Sequence, residues 1–85
     1  MKTAGRYFDG RTARATPVVV VLRPDGLAIL GPAGERLALW PVATLALAEP
    51  WRAGGGPARF RNGEDDPRLA LADAMAIEAI LDAAP

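Results

Sequence analysis

The sequence predicts a mainly β domain, α+β by virtue of one terminal helix, with about seven short antiparallel strands forming a bent sheet or partly open barrel. Three observations predict it. Turn signals rich in Gly, Pro, Asn and Asp recur along the chain as far as Leu71 and cut it into short segments. The segments between them are β-branched or alternate apolar with polar residues. After Asp73 the apolar period changes from two to that of a helix.

Arg6 to Asp9 is a short aromatic stretch closed by Gly10. Ala15 to Arg23 holds Val18-Val19-Val20-Val21-Leu22, apolar on both faces as in a strand covered on both sides. Pro17 stands near its start, where a missing N–H does least harm. Pro24-Asp25-Gly26 supplies a fixed φ, an Asx-capable side chain and a residue that accepts positive φ, which is a turn with a mechanism. Leu27 to Leu30 returns antiparallel, and Gly31 to Gly34 turns the chain again. Glu35 to Trp40 alternates, with Leu37 and Leu39 on one face. Pro41 ends it, because proline cannot donate to a ladder. Ala43 to Ala48 is the next strand, with Leu45 and Leu47 in step. A glycine-rich loop over 53–57 leads to Ala58–Arg61, the Asn62-Gly63 hairpin dipeptide and a last strand, Arg68 to Leu71. Ile77, Ile80, Leu81 and Ala84 then stack at helical spacing, with Met75 and Ala76 at the edge of the stripe and Asp73 as N-cap. A curled sheet with a helix plugging one end is pleckstrin-homology-like. An SH3-like barrel with an appended helix is the alternative.

Composition removes most chemistry. The 85 residues carry ten basic and ten acidic side chains and neither His nor Cys. That excludes imidazole and thiol catalysis, disulfides, and His- or Cys-ligated zinc within these residues. Zero net charge gives no electrostatic argument for nucleic acid or an anionic membrane, and nucleic acid is not expected as a partner. The hydrophobic fraction of 51% includes eighteen alanines, leaving 25 large apolar side chains for one small core. The uncharged run Leu37 to Ala48 is far short of the roughly 20 residues a spanning helix needs. Residues 1–85 therefore read as one small domain. No cofactor is implied.

Glu64-Asp65-Asp66 lacks the alternating ligand spacing of a calcium loop and reads as a solvated connection. The glycines at 54–56 lack the Lys-Ser/Thr and following helix of a phosphate cradle. Arg6, Arg11, Arg14, Arg23, Arg52, Arg59 and Arg61, interleaved with Tyr7, Phe8, Trp51 and Phe60, have the flavour of a single-strand-binding sheet, which the balancing acids weaken. Trp40 is expected to close the core. Trp51, beside the flexible loop, is read first as packing on the core and second, if partly exposed, as a residue type common in interaction hot spots. No nucleophile has a base, so the chain is expected to be no enzyme.

Arg6-Tyr7-Phe8-Asp9-Gly10-Arg11-Thr12-Ala13, a valine strand, Asp25-Gly26-Leu27, Gly34-Glu35-Arg36-Leu37, Trp40-Pro41 and a Leu45-Leu47-Glu49 strand together form a pattern. It resembles the small domain of unknown function at the N-terminus of bacterial integral-membrane zinc metallopeptidases, relatives of HtpX and the CAAX prenyl proteases. The resemblance implies an N-terminal module of a longer peptidase, at the cytoplasmic face of the inner membrane. Its partner would be the downstream peptidase and membrane part of the same polypeptide. The family's HExxH zinc site has no counterpart here, so the implied role is accessory, regulatory or scaffolding. Tyr7, Phe8, Asp9 and Gly10, with Trp40 and Trp51, are the candidate structural or docking motif. The rival function is a free-standing binder of a small ligand or of single-stranded nucleic acid.

Overall fold

Seven strands account for most of the chain in the computed structural model, which describes residues 1–85: β1 (Lys2–Phe8), β2 (Thr16–Arg23), β3 (Gly26–Leu30), β4 (Arg36–Trp40), β5 (Leu45–Leu47), β6 (Ala58–Asn62) and β7 (Arg68–Leu71). One helix follows, α1 (Ala74–Ala83). All neighbours pair antiparallel, in the order β4-β3-β2-β1-β7-β6-β5. Strands β4 and β5 are thus the two edges of the sheet, yet only residues 41–44 join them.

That link forces the sheet to curl. In a flat seven-stranded sheet the edges would lie about 29 Å apart, whereas five extended residues reach at most about 18 Å. Side chains confirm the curl. Tyr7 pairs with Thr16, and Trp40 pairs through Leu27 with Leu22, six residues further along β2. On a flat sheet the two rings would be more than about 20 Å apart. Their centroids are 6.2 Å apart, at 57°. The result is a half-barrel left open between β4 and β5, with seven strands and a terminal helix rather than the SH3-like alternative.

The concave face holds the core. Val20, Leu27, Ile29, Phe60, Leu69 and Leu71 are fully buried there. Helix α1 covers it with Ile77 and Ile80, both fully buried, while Leu81 is half-buried against the same cluster. Each fully buried side chain contributes about 1.5–3 kcal/mol. The Asp73 carboxylate accepts from the Met75 and Ala76 N–H groups at 3.0 and 3.4 Å, which fixes where the helix starts. Ala76 is buried but Met75 is 81% exposed, so only one of the two expected edge residues joins the stripe.

Several local expectations are corrected. Strand β1 begins at Lys2 rather than Arg6, because its first residues pair with Val19–Val21 of β2, and β7 joins on the other side from Gly5. The register against β3 shifts between Ile29 and Leu30, which leaves Leu37, 40% exposed, without a partner on β3. Ala38 and Trp40 face the core, as the alternation and the expected burial of Trp40 together imply. Residues Val42–Thr44 form a 3₁₀ turn, so β5 starts only at Leu45. The Asn62-Gly63 connection to β7 is widened by the acidic residues after it, as expected, and within that dipeptide only Gly63 takes a positive φ.

Candidate functional site

The register of β1, β7 and β6 creates the one sizeable concavity on the convex face. Arg6 is opposite Ala70, and Ala70 is opposite Arg59. Two long side chains therefore stand about 10 Å apart with a methyl group between them. The opening is about 550 Å³, floored by Ala4, Ala70 and Ala72 and walled by Arg6, Phe8 and Arg59. Ligand sites commonly fall between about 300 and 1,000 Å³.

Four arginines project from this face and are not equivalent. Arg68 donates to the carbonyls of Asp65, Asp66 and Pro67 at 2.8, 3.0 and 3.0 Å, so it is committed to ordering the acidic loop. Arg61 donates to the Gly63 carbonyl at 2.6 Å and lies 3.7 Å from Glu64. Arg59 rests over the Phe8 ring, 5.6 Å from its centroid, and meets the exposed Glu49 carboxylate at 3.8 Å. Arg6 is exposed and has no carboxylate within salt-bridge reach. It is the uncommitted cation of the hollow.

The candidate motif residues are distributed, not gathered. Tyr7 points inward against Trp40, which is 3% exposed. Burial, and then the nearby Asp9 charge, raise the Tyr7 hydroxyl above its ordinary value. Phe8 points the other way, into the hollow. Asp9 Oδ1 accepts from the Arg11 and Thr12 N–H groups at 2.8 and 3.3 Å. Those bonds, helped by the Arg11 charge, hold its carboxyl below the usual range. Gly10 has φ +84, and a Cβ there would sit 2.8 Å from Asp66 Cβ, so glycine is required where this loop crosses the β6–β7 connection. Trp51 is half-buried against the core, with Nε1 donating to the Gly56 carbonyl at 2.8 Å, so it tethers the glycine-rich loop.

Only Phe8 of that motif lines the hollow. Of the arginines singled out in the sequence, Arg6 and Arg59 frame it and Arg61 shares the face. Arg11 and Arg14 lie on the β1–β2 loop, and Arg52 on the loop before β6. Ala4, Ala70, Ala72 and Pro57 were missed. The usable signal was the outward period of β1, Lys2-Ala4-Arg6-Phe8; the pairing with β7 has no local signature. No three acidic side chains converge as metal ligands, and no helix is long and apolar enough to cross a membrane.

These features define a class: a curled seven-stranded sheet, plugged by a helix, with an arginine-framed hollow on its outer face. The chain belongs to the family described as a domain of unknown function (DUF7092), whose family model matches residues 2–84. No curated protein and no solved structure matches it.

Proposed function

We propose that the domain is a noncatalytic interaction module whose docking site is the outer face of β1, β7 and β6. The observation that carries this reading is the open hollow with an uncommitted Arg6 at its rim. The interior offers no rival site: the core contains no buried polar or charged residue, and no buried side-chain polar atom lacks a partner.

The parent we propose is a bacterial membrane-bound zinc metallopeptidase. In it the module contacts the downstream peptidase part, on the cytoplasmic side, in a regulatory or scaffolding role. Support for the parent is the sequence pattern around Tyr7-Phe8-Asp9-Gly10 and Trp40-Pro41, since the family itself carries no assigned activity. The second reading, a free-standing small-ligand binder, is favoured by the same hollow. The native gene separates the two. A reading frame that runs past Pro85 into apolar spans and an HExxH helix supports the peptidase module. A stop codon directly after Pro85 overturns the parent and leaves the free-standing binder.

A further inference from the structure

We infer that the hollow between Arg6 and Arg59 binds a carboxylate carried on an apolar peptide segment. The inference rests on the interaction-module reading, whose ligand it names, and it holds with or without a peptidase parent.

Charge and shape both select this ligand. Arg6 and Arg59 flank Ala70 on neighbouring strands and both line the hollow, so their side chains can bring N–H donors to one carboxylate from two sides. The surface beneath is apolar: three alanine methyls, the Phe8 ring and Pro57. A ligand that places a carboxylate between the arginines must lay its adjoining atoms on that floor, where apolar groups gain most. Arg59 already pairs with a carboxylate, though one that does not line the hollow. Glu49, from the same chain, holds its carboxylate 3.8 Å from Arg59, with both partners about half exposed or more. Exposed pairs of this kind are weak, so a better-placed carboxylate displaces it.

A nucleic acid fits less well. A base needs an open aromatic face, and the only aromatic ring of the hollow is Phe8, which Arg59 already covers. A polyanion needs an excess of cations, and this chain has ten of each sign. A single carboxylate matches one free and one half-free arginine.

The test is a titration of the isotope-labelled 85-residue chain, read by backbone amide resonances. The probes are an acetylated Ala-Val-Leu peptide with a free C-terminal carboxylate, the same peptide as its amide, and an amidated version with an internal glutamate. One or both carboxylate peptides are expected to shift resonances of Ala4–Phe8, Arg59 and Ala70–Ala72, and the neutral amide to shift none. Whichever carboxylate peptide binds tells whether the natural group is a chain end or a side chain. Arg6→Gln, at an exposed position that leaves the thermal midpoint unchanged, is expected to weaken binding roughly tenfold or more. Glu49→Gln, which releases Arg59, is expected to tighten it. Arg36→Gln, on the far edge strand, is expected to change nothing. The proposal is overturned if the neutral amide binds as well as the acids, if neither acid binds by about 10 mM, or if Arg6→Gln or Glu49→Gln has no effect. It is also overturned, in favour of nucleic acid, if oligothymidylate occupies the same residues more tightly than either acid. None of these results bears on the gene-length test of the parent, so the two readings fail separately.

Discussion

The inner and outer faces of β1, β7 and β6 use one register and opposite packing logic. Inward, the rows read Gly5–Leu71–Ala58 and Tyr7–Leu69–Phe60; outward, they read Arg6–Ala70–Arg59 and Phe8–Arg68–Arg61. In the first inner row a large central side chain is flanked by two small ones, and the space is filled. In the first outer row a small central side chain is flanked by two long ones, and the space is left open. The difference shows how a three-strand sheet makes a wall on one side and a receptacle on the other without any irregularity of backbone.

The largest effects should come from the filled side. Phe60 is fully buried, and Phe60→Ala is expected to cost about 3–5 kcal/mol. Ile80, fully buried where α1 closes the same core, should cost about 2–5 kcal/mol when cut to alanine. Against a domain stability of about 5–15 kcal/mol, either variant is expected to lower the urea midpoint sharply. An unchanged midpoint in Ile80→Ala would mean that the helix is not part of the core, and would move the contrast between faces to a different place.

Next comes the small partner of the filled row. A Cβ on Gly5 would lie 2.6 Å from Leu71 Cδ2 and 3.1 Å from the Ala70 carbonyl oxygen. The leucine tip can give but the backbone cannot, so Gly5→Ala should destabilise by about 1–3 kcal/mol as overpacking. Thermal melts check it. A neutral outcome would show that the inner row has slack and would blunt the contrast.

A smaller effect is expected from Tyr7, the residue at which the inner face meets solvent. Its hydroxyl is raised above the ordinary value of 10.0, first by burial and second by Asp9. The sign follows from linkage: the unfolded tyrosine ionises first as pH rises, so the contribution is complete below 10.0 and is lost as pH climbs through the higher folded value. Stability should fall in that alkaline window. Tyr7→Phe should flatten the fall, and the chain's single tyrosine gives a clean absorbance titration.

Much of the filled face was legible in the sequence, and the receptacle was not. Alternation and turn chemistry located Arg68–Leu71 within its observed bounds, and Asp73 was readable as a cap because capping is a local interaction. Lys2 to Ala4 carries little strand signal of its own; pairing with β2 makes it strand, and β7 joins only from Gly5 onward. The bulge that leaves Leu37 unpaired depends on the β3–β4 register, and local alternation could not show it. The hollow needs Arg6 and Arg59, more than fifty positions apart in the chain, to flank Ala70. Phe8 was visible as an aromatic residue, but whether it joined Tyr7 in the core or turned away was decided by that same pairing.

The smallest stability effect and the sharpest functional one should coincide at Ala70. It occupies the centre of the open row, half-buried between side chains that end in solvent. Ala70→Leu adds bulk into the hollow rather than into the core, and the flanking Arg6 and Arg59 can swing aside. A leucine also suits a strand at least as well as alanine. Stability should therefore stay within about 0.5 kcal/mol of the parent, as for most surface substitutions. The added side chain fills the floor on which a ligand's apolar atoms would rest, so the carboxylate peptide should lose its binding. Gly5→Ala, one methyl group on the opposite face, should do the reverse, with a lower melting temperature and retained binding in the folded fraction. If Ala70→Leu destabilises as much as Gly5→Ala, the outer row is packed rather than open, and the distinction between the two faces fails.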